Sequence, residues 1–146
     1  MGLKILHTAD WHLDSPFARF SPEQQEFLMG AQRRIPWQIS DKVRSEGCDL
    51  VLISGDIFDN PVTRKSVPIV REALKACGVP VIIAPGNHDY IASGSPWLEE
   101  TWPDNVHIFT GELTNIVFPE LDCRIYGAAY RAAECPGLLE IGRAHV

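Results

Sequence analysis

Three short apolar runs set the terms on which this chain can fold. They are LKILHTA at 3–9, DLVLISG at 49–55 and VPVIIAPG at 79–86. Each is rich in Val, Ile and Leu, and none alternates cleanly between apolar and polar residues. That is the pattern of parallel strands covered on both faces. The stretches between them read as helices, so the order is strand, helix, strand, helix, strand. This is a βαβαβ unit, with right-handed crossovers expected. With 146 residues, 45% of them hydrophobic, the chain is one domain's worth or part of a larger one.

The helix signals are specific. Ser21-Pro22-Glu23-Gln24 offers a cap, a proline at the first helical position and a glutamine placed to complete a capping box. That helix should run towards Glu46 and close at Gly47, with a kink or break near Ile35 because Pro36 interrupts it. A second helix should start at Ser66, bury Val67, Val70, Leu74 and Cys77, and close at Gly78. After Tyr90 the pattern changes. SGSPW and TWPDN are turn-rich, and VHIFTG, TNIVFPE and CRIYGAA read as short strands of a further layer joined by hairpins.

Each of the three buried runs ends in polar chemistry. The first gives Asp10 and His12, the second Asp56 and Asp59, the third Asn87, His88 and Asp89. In an open α/β sheet, ligands bind outside the carboxyl ends of the strands. Parallel neighbours bring those ends together, which would gather oxygen and imidazole donors without a thiolate. Such a set suits Mn²⁺, Fe²⁺ or Zn²⁺ and is too rich in nitrogen for a calcium cage. Asp10 and His12 can converge on one ion, and Asp56 can bridge two, one oxygen to each. Gly55 and Gly86 allow tight turns beside them. Asn87 offers a neutral carbonyl oxygen. His88 points elsewhere and reads as an acid–base group.

Taken singly, most of these residues have plainer explanations. Asp10 or Asp56 could cap a turn, and His12 could be a hydrogen-bonded structural histidine. Three polar tips at successive strand ends are what favour a site. His7, inside the first run, reads as a core histidine, and His107 as structural. Asp59 either orients a ligand or caps its loop. Asp89 either orients His88 or closes the turn. Arg33–Arg34 and Arg64–Lys65 read as solvated helix faces rather than phosphate contacts.

Charge and cysteines narrow the setting. The net charge is −6 and the pI about 5.3, so no basic face announces nucleic acid. Bound metal ions can reverse the local field, so DNA is not excluded. Cys48, Cys77, Cys123 and Cys135 form no C-x-x-C and read as reduced thiols. The start of the chain turns polar too soon for a signal peptide, and no run reaches membrane-span length. A cytoplasmic protein without a membrane anchor is expected.

D-x-H, G-D-x-x-D and G-N-H-D, in this order and each after an apolar strand, resemble the calcineurin-like metallophosphoesterases. The wording HTADWHLDSPF, CDLVLISGDIFDNP and IYGAAYR is similar to the DNA-repair exonuclease branch, the SbcD- and YhaO-like proteins, over roughly residues 3 to 131. The resemblance implies a layered α/β fold and a two-metal phosphodiester hydrolase, most simply a DNA exonuclease. Asp10 and His12 would hold the first metal, Asp56 would bridge, Asn87 would hold the second, and His88 would be the general acid. It also implies Mn²⁺ as the usual ion, DNA as partner, an SMC-like coiled-coil ATPase subunit, and a homodimer of the full-length protein. Two other readings stand beside it: a phosphoesterase acting on phosphoproteins, nucleotides or cyclic nucleotides, and an inert fragment or non-catalytic interaction module.

The resemblance stops short. Further histidines of the family, one after a later strand and a pair in Gly-His-x-His, have no counterpart here. The expectation is that 1–140 is the N-terminal part of a metallophosphoesterase domain, incomplete at its C-terminus. Residues 141–146 are read as a non-native tail. IGRAHV is also what one frame of a common sequencing adapter encodes, and His145 is given no role.

Overall fold

A computed structural model describes residues 2–134. Strand β1 (Ile5–Thr8) leads to helix α1 (Pro22–Glu46), then β2 (Leu50–Ser54), α2 (Val67–Ala76) and β3 (Val81–Ala84). A single-turn helix α3 (Pro96–Glu99) and strand β4 (Val106–Ile108) follow, and β5 (Thr114–Phe118) and β6 (Cys123–Gly127) close the described chain. The βαβαβ unit is therefore present. Its strands lie in the order β1-β2-β3 and all run parallel, with Ile5 opposite Leu50 and Val51 opposite Val81. Residues 135–146, with Cys135, His145 and the expected non-native tail, lie outside the described residues.

β4 departs from the expected hairpin layer. It pairs parallel to β3, Val81 opposite Val106, and becomes the fourth strand of the main sheet. The stretch from 85 to 105 is long enough for the crossover a parallel pair requires. Among the described residues only β5 and β6 form an antiparallel hairpin, a separate two-stranded sheet. That hairpin leans on β4. The Phe118 ring meets His107 edge-on at 5.1 Å, and a side chain at Gly127 would overlap the ring of Phe109. His107 is thus structural, as expected.

α1 is capped as its sequence indicates. Ser21 Oγ accepts from the Gln24 amide at 3.3 Å, Gln24 Oε1 accepts from the Ser21 amide at 3.0 Å, and Gly47 ends the helix with φ of 62°. The expected break near Ile35 does not occur: α1 runs through Pro36. Pro36, Ser40 and Val43 are its buried residues, and α1 packs against α2. An interior proline costs about 3 kcal/mol relative to alanine, and tertiary packing of a long helix outweighs that. α2 buries Val67, Val70, Ala73 and Leu74, with Cys77 buried just beyond its end and Gly78 at φ 69°.

β2 and β3 are as dry as their composition suggests, with Leu50, Val51, Ile53, Val81, Ile82 and Ile83 all buried. β1 is not. It is the edge strand, and Ile5 is 45% exposed. His7 is correspondingly exposed rather than a core histidine, and its Nε2 lies 2.8 Å from Ser54 Oγ on the neighbouring strand.

Candidate metal centre

The loops that leave β1 and β2 stay side by side beyond the strands. The Asp10 amide donates to the Gly55 carbonyl, the His12 amide to Asp56, and the Leu13 amide to Ile57, all at 2.9–3.0 Å. The Asp59 amide donates back to Leu13 at 3.0 Å. Asp10, His12, Asp56 and Asp59 are therefore brought to one place by continued parallel pairing. Asp10, His12 and Asp56 all sit at positive φ, 56°, 48° and 54°, which turns their side chains out of strand alternation.

The loop after β3 is attached to the loop after β2 through glycine and one carboxylate. Gly55 has φ of 84°, and a β-carbon there would stand 2.9 Å from the Gly86 α-carbon. Asp89 is buried, and its carboxylate accepts from the amides of Asp56, Ile57, Phe58 and Gly86 at 2.8–3.3 Å. Burial pushes the Asp89 carboxyl above the usual range, against the pull of those amides. Asp89 thus closes the turn and does not orient the His88 ring. From below, Trp97 Nε1 donates to the Asp89 carbonyl at 2.7 Å, and its ring packs on Phe58 and Trp102.

His12 is the centre of the arrangement. Its Nε2 lies 3.9 Å from Asp10 Oδ1 and 3.9 Å from Asp56 Oδ2, and its Nδ1 lies 3.5 Å from Asp59 Oδ1. The same Asp59 oxygen lies 2.9 Å from His88 Nδ1, and the two imidazoles meet edge to face at 4.8 Å. Two groups of residues that could hold a metal ion result, Asp10–His12–Asp56 and His12–Asp59–His88, each with one donor atom per residue within 4.8 Å of the others. Two ligand atoms at about 2.1 Å from one ion stand roughly 3–4 Å apart, so the first group fits a divalent cation. Asp56 Oδ1 already accepts the His88 amide at 2.9 Å, which leaves Oδ2 as the oxygen facing His12. Asn87 lies on the same loop, half-buried between Gly86 and His88.

Asp59 does both things the sequence left open. It caps its loop by accepting the Asn60 amide at 3.0 Å, and it faces both histidines. Burial raises its pKa, but hydrogen bonds from Ser15, the Asn60 amide, His88 and His12 outweigh that and hold the carboxyl below the usual range. An ionised carboxylate only accepts, so it selects the tautomers with a proton on Nδ1. Both Nε2 atoms are then free for other work.

Two residues that sequence reasoning missed also shape the site. Asp14 Oδ2 accepts the Ser66 amide and the Thr63 hydroxyl at 3.0 Å, Oδ1 accepts the Ser66 hydroxyl at 2.7 Å, and Arg33 lies 3.5 Å away. Gln32 of α1 donates to the carbonyls of Trp11 and His12. A carboxylate two residues beyond D-x-H was a signal for Asp14, but nothing in the pattern marked Gln32. Arg33 is engaged by Asp14, and Arg64 by Glu99, Glu100 and the Gly94 carbonyl. Neither extends a free cation towards the site.

A family model, Calcineurin-like phosphoesterase, matches residues 3–132. The chain belongs to this family. A calcineurin-like phosphoesterase is a hydrolase that works with divalent metal, in keeping with the donor set gathered around His12. Among curated relatives of this phosphoesterase, the metallophosphoesterase YhaO of Bacillus subtilis is 35% identical over 145 residues, covering 89% of this chain and 34% of its own. The SbcD component of the SbcCD nuclease of Staphylococcus epidermidis is 30% identical over 105 residues, covering 66% of this chain and 26% of its own. The chain therefore spans about a third or less of the length of these relatives. No helix among its described residues is long and apolar enough to cross a membrane.

Proposed function

We propose that this calcineurin-like phosphoesterase chain is part of a metal-dependent phosphodiester hydrolase that acts on DNA as an exonuclease, with Mn²⁺ as its ion. The observation that carries the reading is the two-sided use of His12, whose Nε2 faces Asp10 and Asp56 while its Nδ1 faces the Asp59 that also holds His88. That links a cation site to an acid–base histidine within one hydrogen-bonded group. The staphylococcal relative is named as a nuclease, which supports a DNA substrate. It is also named as one component of a larger enzyme, which supports a partner such as a coiled-coil ATPase.

Asp10, His12 and Asp56 would hold one ion, and Asp56 with Asn87 a second. Bound divalent ions supply charge neutralisation on the phosphate and a more acidic water. The residues do the rest. Asp59 holds His88 through Nδ1, which leaves Nε2 as the ring atom from which a general acid would hand a proton to the leaving oxygen. Proton transfer of that kind contributes about 10²–10⁴-fold. Among the described residues the first ion would have three protein ligands and the second two, so weak metal binding and low turnover are expected of the chain by itself.

The test is a substrate panel with the full-length protein and Mn²⁺: duplex DNA, a cyclic nucleotide and a phosphopeptide. Release of nucleotides from DNA ends, lost in Asp56→Ala, is expected. Hydrolysis of the phosphopeptide or the cyclic nucleotide with DNA left intact would overturn the DNA assignment.

A further inference from the structure

The ligand loop after β1 does not have a conformation that its sequence would choose. Asp10, His12 and Asp14 have φ of 56°, 48° and 65°, a region L-residues enter reluctantly and keep only when their surroundings over-determine it. Two restraints act on it from outside α1. The amides of Asp10 and His12 are held by the loop after β2, and Asp14 is tied to the start of α2. Neither restrains the carbonyls of Trp11 and His12; within the loop itself the Ser15 amide donates to the His12 carbonyl at 3.2 Å, and the Trp11 carbonyl has no backbone partner among the described residues.

One side chain reaches both carbonyls, and at His12 it makes the shorter of two contacts. Gln32 Nε2 lies 2.6 Å from the His12 oxygen and 3.3 Å from the Trp11 oxygen. The amide can sit only one way round, because the flipped form would set Oε1 against two carbonyl oxygens. In this orientation Gln32 Oε1 is buried with no partner among the described residues. A buried acceptor left unsatisfied calls for a compensating role, and the doubly used donor supplies one. The helix bears the same mark. Pro36 lies four residues on, inside α1, so the Gln32 carbonyl lacks its normal helical donor. The residue that reaches the loop thus sits on the interior turn where the helical ladder is interrupted.

We infer that Gln32 is a positioning residue for the metal centre, fixing through the Trp11 and His12 carbonyls the direction in which His12 presents Nε2 to Asp10 and Asp56. Gln32 touches no substrate and is not catalytic. Without its amide, the Trp11 carbonyl loses its partner and the His12 carbonyl keeps only the longer bond from Ser15, so the loop can shift and His12 no longer stands 3.9 Å from both carboxylates. Loss of such outer partners typically weakens metal affinity 10–100-fold.

The inference rests on the reading of His12 as a ligand, and the experiment separates the two. Mn²⁺ affinity is measured by calorimetry on the full-length protein and on Gln32→Met, His12→Ala and Val43→Ala, with Co²⁺ absorption reporting coordination geometry. Val43 is buried in the same helix and its side chain holds neither loop carbonyl, so it controls for general destabilisation. Gln32→Met should bind Mn²⁺ 10–100-fold more weakly, with an altered Co²⁺ spectrum, while Val43→Ala binds as the parent does. If Gln32→Met does not fold, Gln32→Ala, which favours the helix, takes its place with the same expected loss. Equal losses in the Gln32 and Val43 variants, or none in the Gln32 variant while His12→Ala loses metal, overturn the inference. Undiminished binding in His12→Ala overturns the underlying reading instead.

Discussion

Gly86 lies where any side chain would collide with the carboxylate of Asp56: a β-carbon there would meet the Asp56 carboxyl carbon at 2.8 Å and the Asp56 amide at 2.7 Å. The loop after β3 can therefore close over Asp56 only with glycine at this point. Gly86→Ala should cost about 1–3 kcal/mol, as overpacking does, and should displace Asp56 as well. Urea unfolding and Mn²⁺ titration check the two effects. A variant with unchanged unfolding and unchanged affinity would show that the loop has room to move.

His88 and Asp56 should separate by readout. In a full-length parent, His88→Ala should lower turnover by about 10²–10⁴-fold while Mn²⁺ binding stays largely intact, because the role proposed for His88 is that of an acid and not a ligand. Asp56→Ala should lose the metal. Asp59→Asn should lower turnover about tenfold or more through the two imidazoles it faces. Equal loss of metal in the His88 and Asp56 variants would mean that the roles are misassigned.

Asp14 gives a pH prediction for the metal-free chain. Burial alone would raise its carboxyl, but hydrogen bonds from Ser66 and Thr63, with the Arg33 charge, hold it below the ordinary aspartate value. A depressed acid contributes its stability in full above the unfolded pKa, near 4, and loses it as pH falls through the lower folded pKa. Asp14→Asn should therefore be less stable than the parent by about 1–3 kcal/mol at pH 7. That gap should narrow in strong acid. A gap that is constant from pH 7 to pH 3 would assign the effect to shape alone.

The cysteines should react in a fixed order. Burial pushes the Cys77 thiol up, and Cys48 is also buried, while Cys123 is only half-buried. A thiol reagent at pH 8 should modify Cys123 before Cys77 or Cys48, as read by peptide mass mapping. Early labelling of Cys77 would show that the α2 end opens readily.

The composition of three runs made the parallel core legible, and the spacing of Asp10, His12, Asp56 and His88 placed them at adjacent strand ends. What the sequence hid depended on distance in space. β4 reads like any short strand, and only its long crossover reveals that it joins the main sheet. His7 has the sequence context of a core residue, but the edge position of β1 leaves it in the open. Pro36 carries a helix-breaking signal that packing against α2 overrides. Asp59 is conspicuous in the sequence but ambiguous, because its partners, Ser15 and His88, are far along the chain. Gln32 gives no signal at all, since a glutamine in a helix is ordinary until the loop it holds is seen.

The four amides gathered on Asp89 also fix when the site can come into being. Three belong to the segment after β2 and one to the segment after β3, and the carboxylate that joins them is shut away from solvent. Their protons can exchange with heavy water only when both segments come apart, which is the opening of the central sheet as a unit. The amides of Asp56, Ile57, Phe58 and Gly86 should therefore exchange as one slow set, at the rate of global unfolding. The join between the loop that carries Asp56 and the loop that carries His88 is then an all-or-none property of the finished core, and a destabilised chain loses that juxtaposition by unfolding.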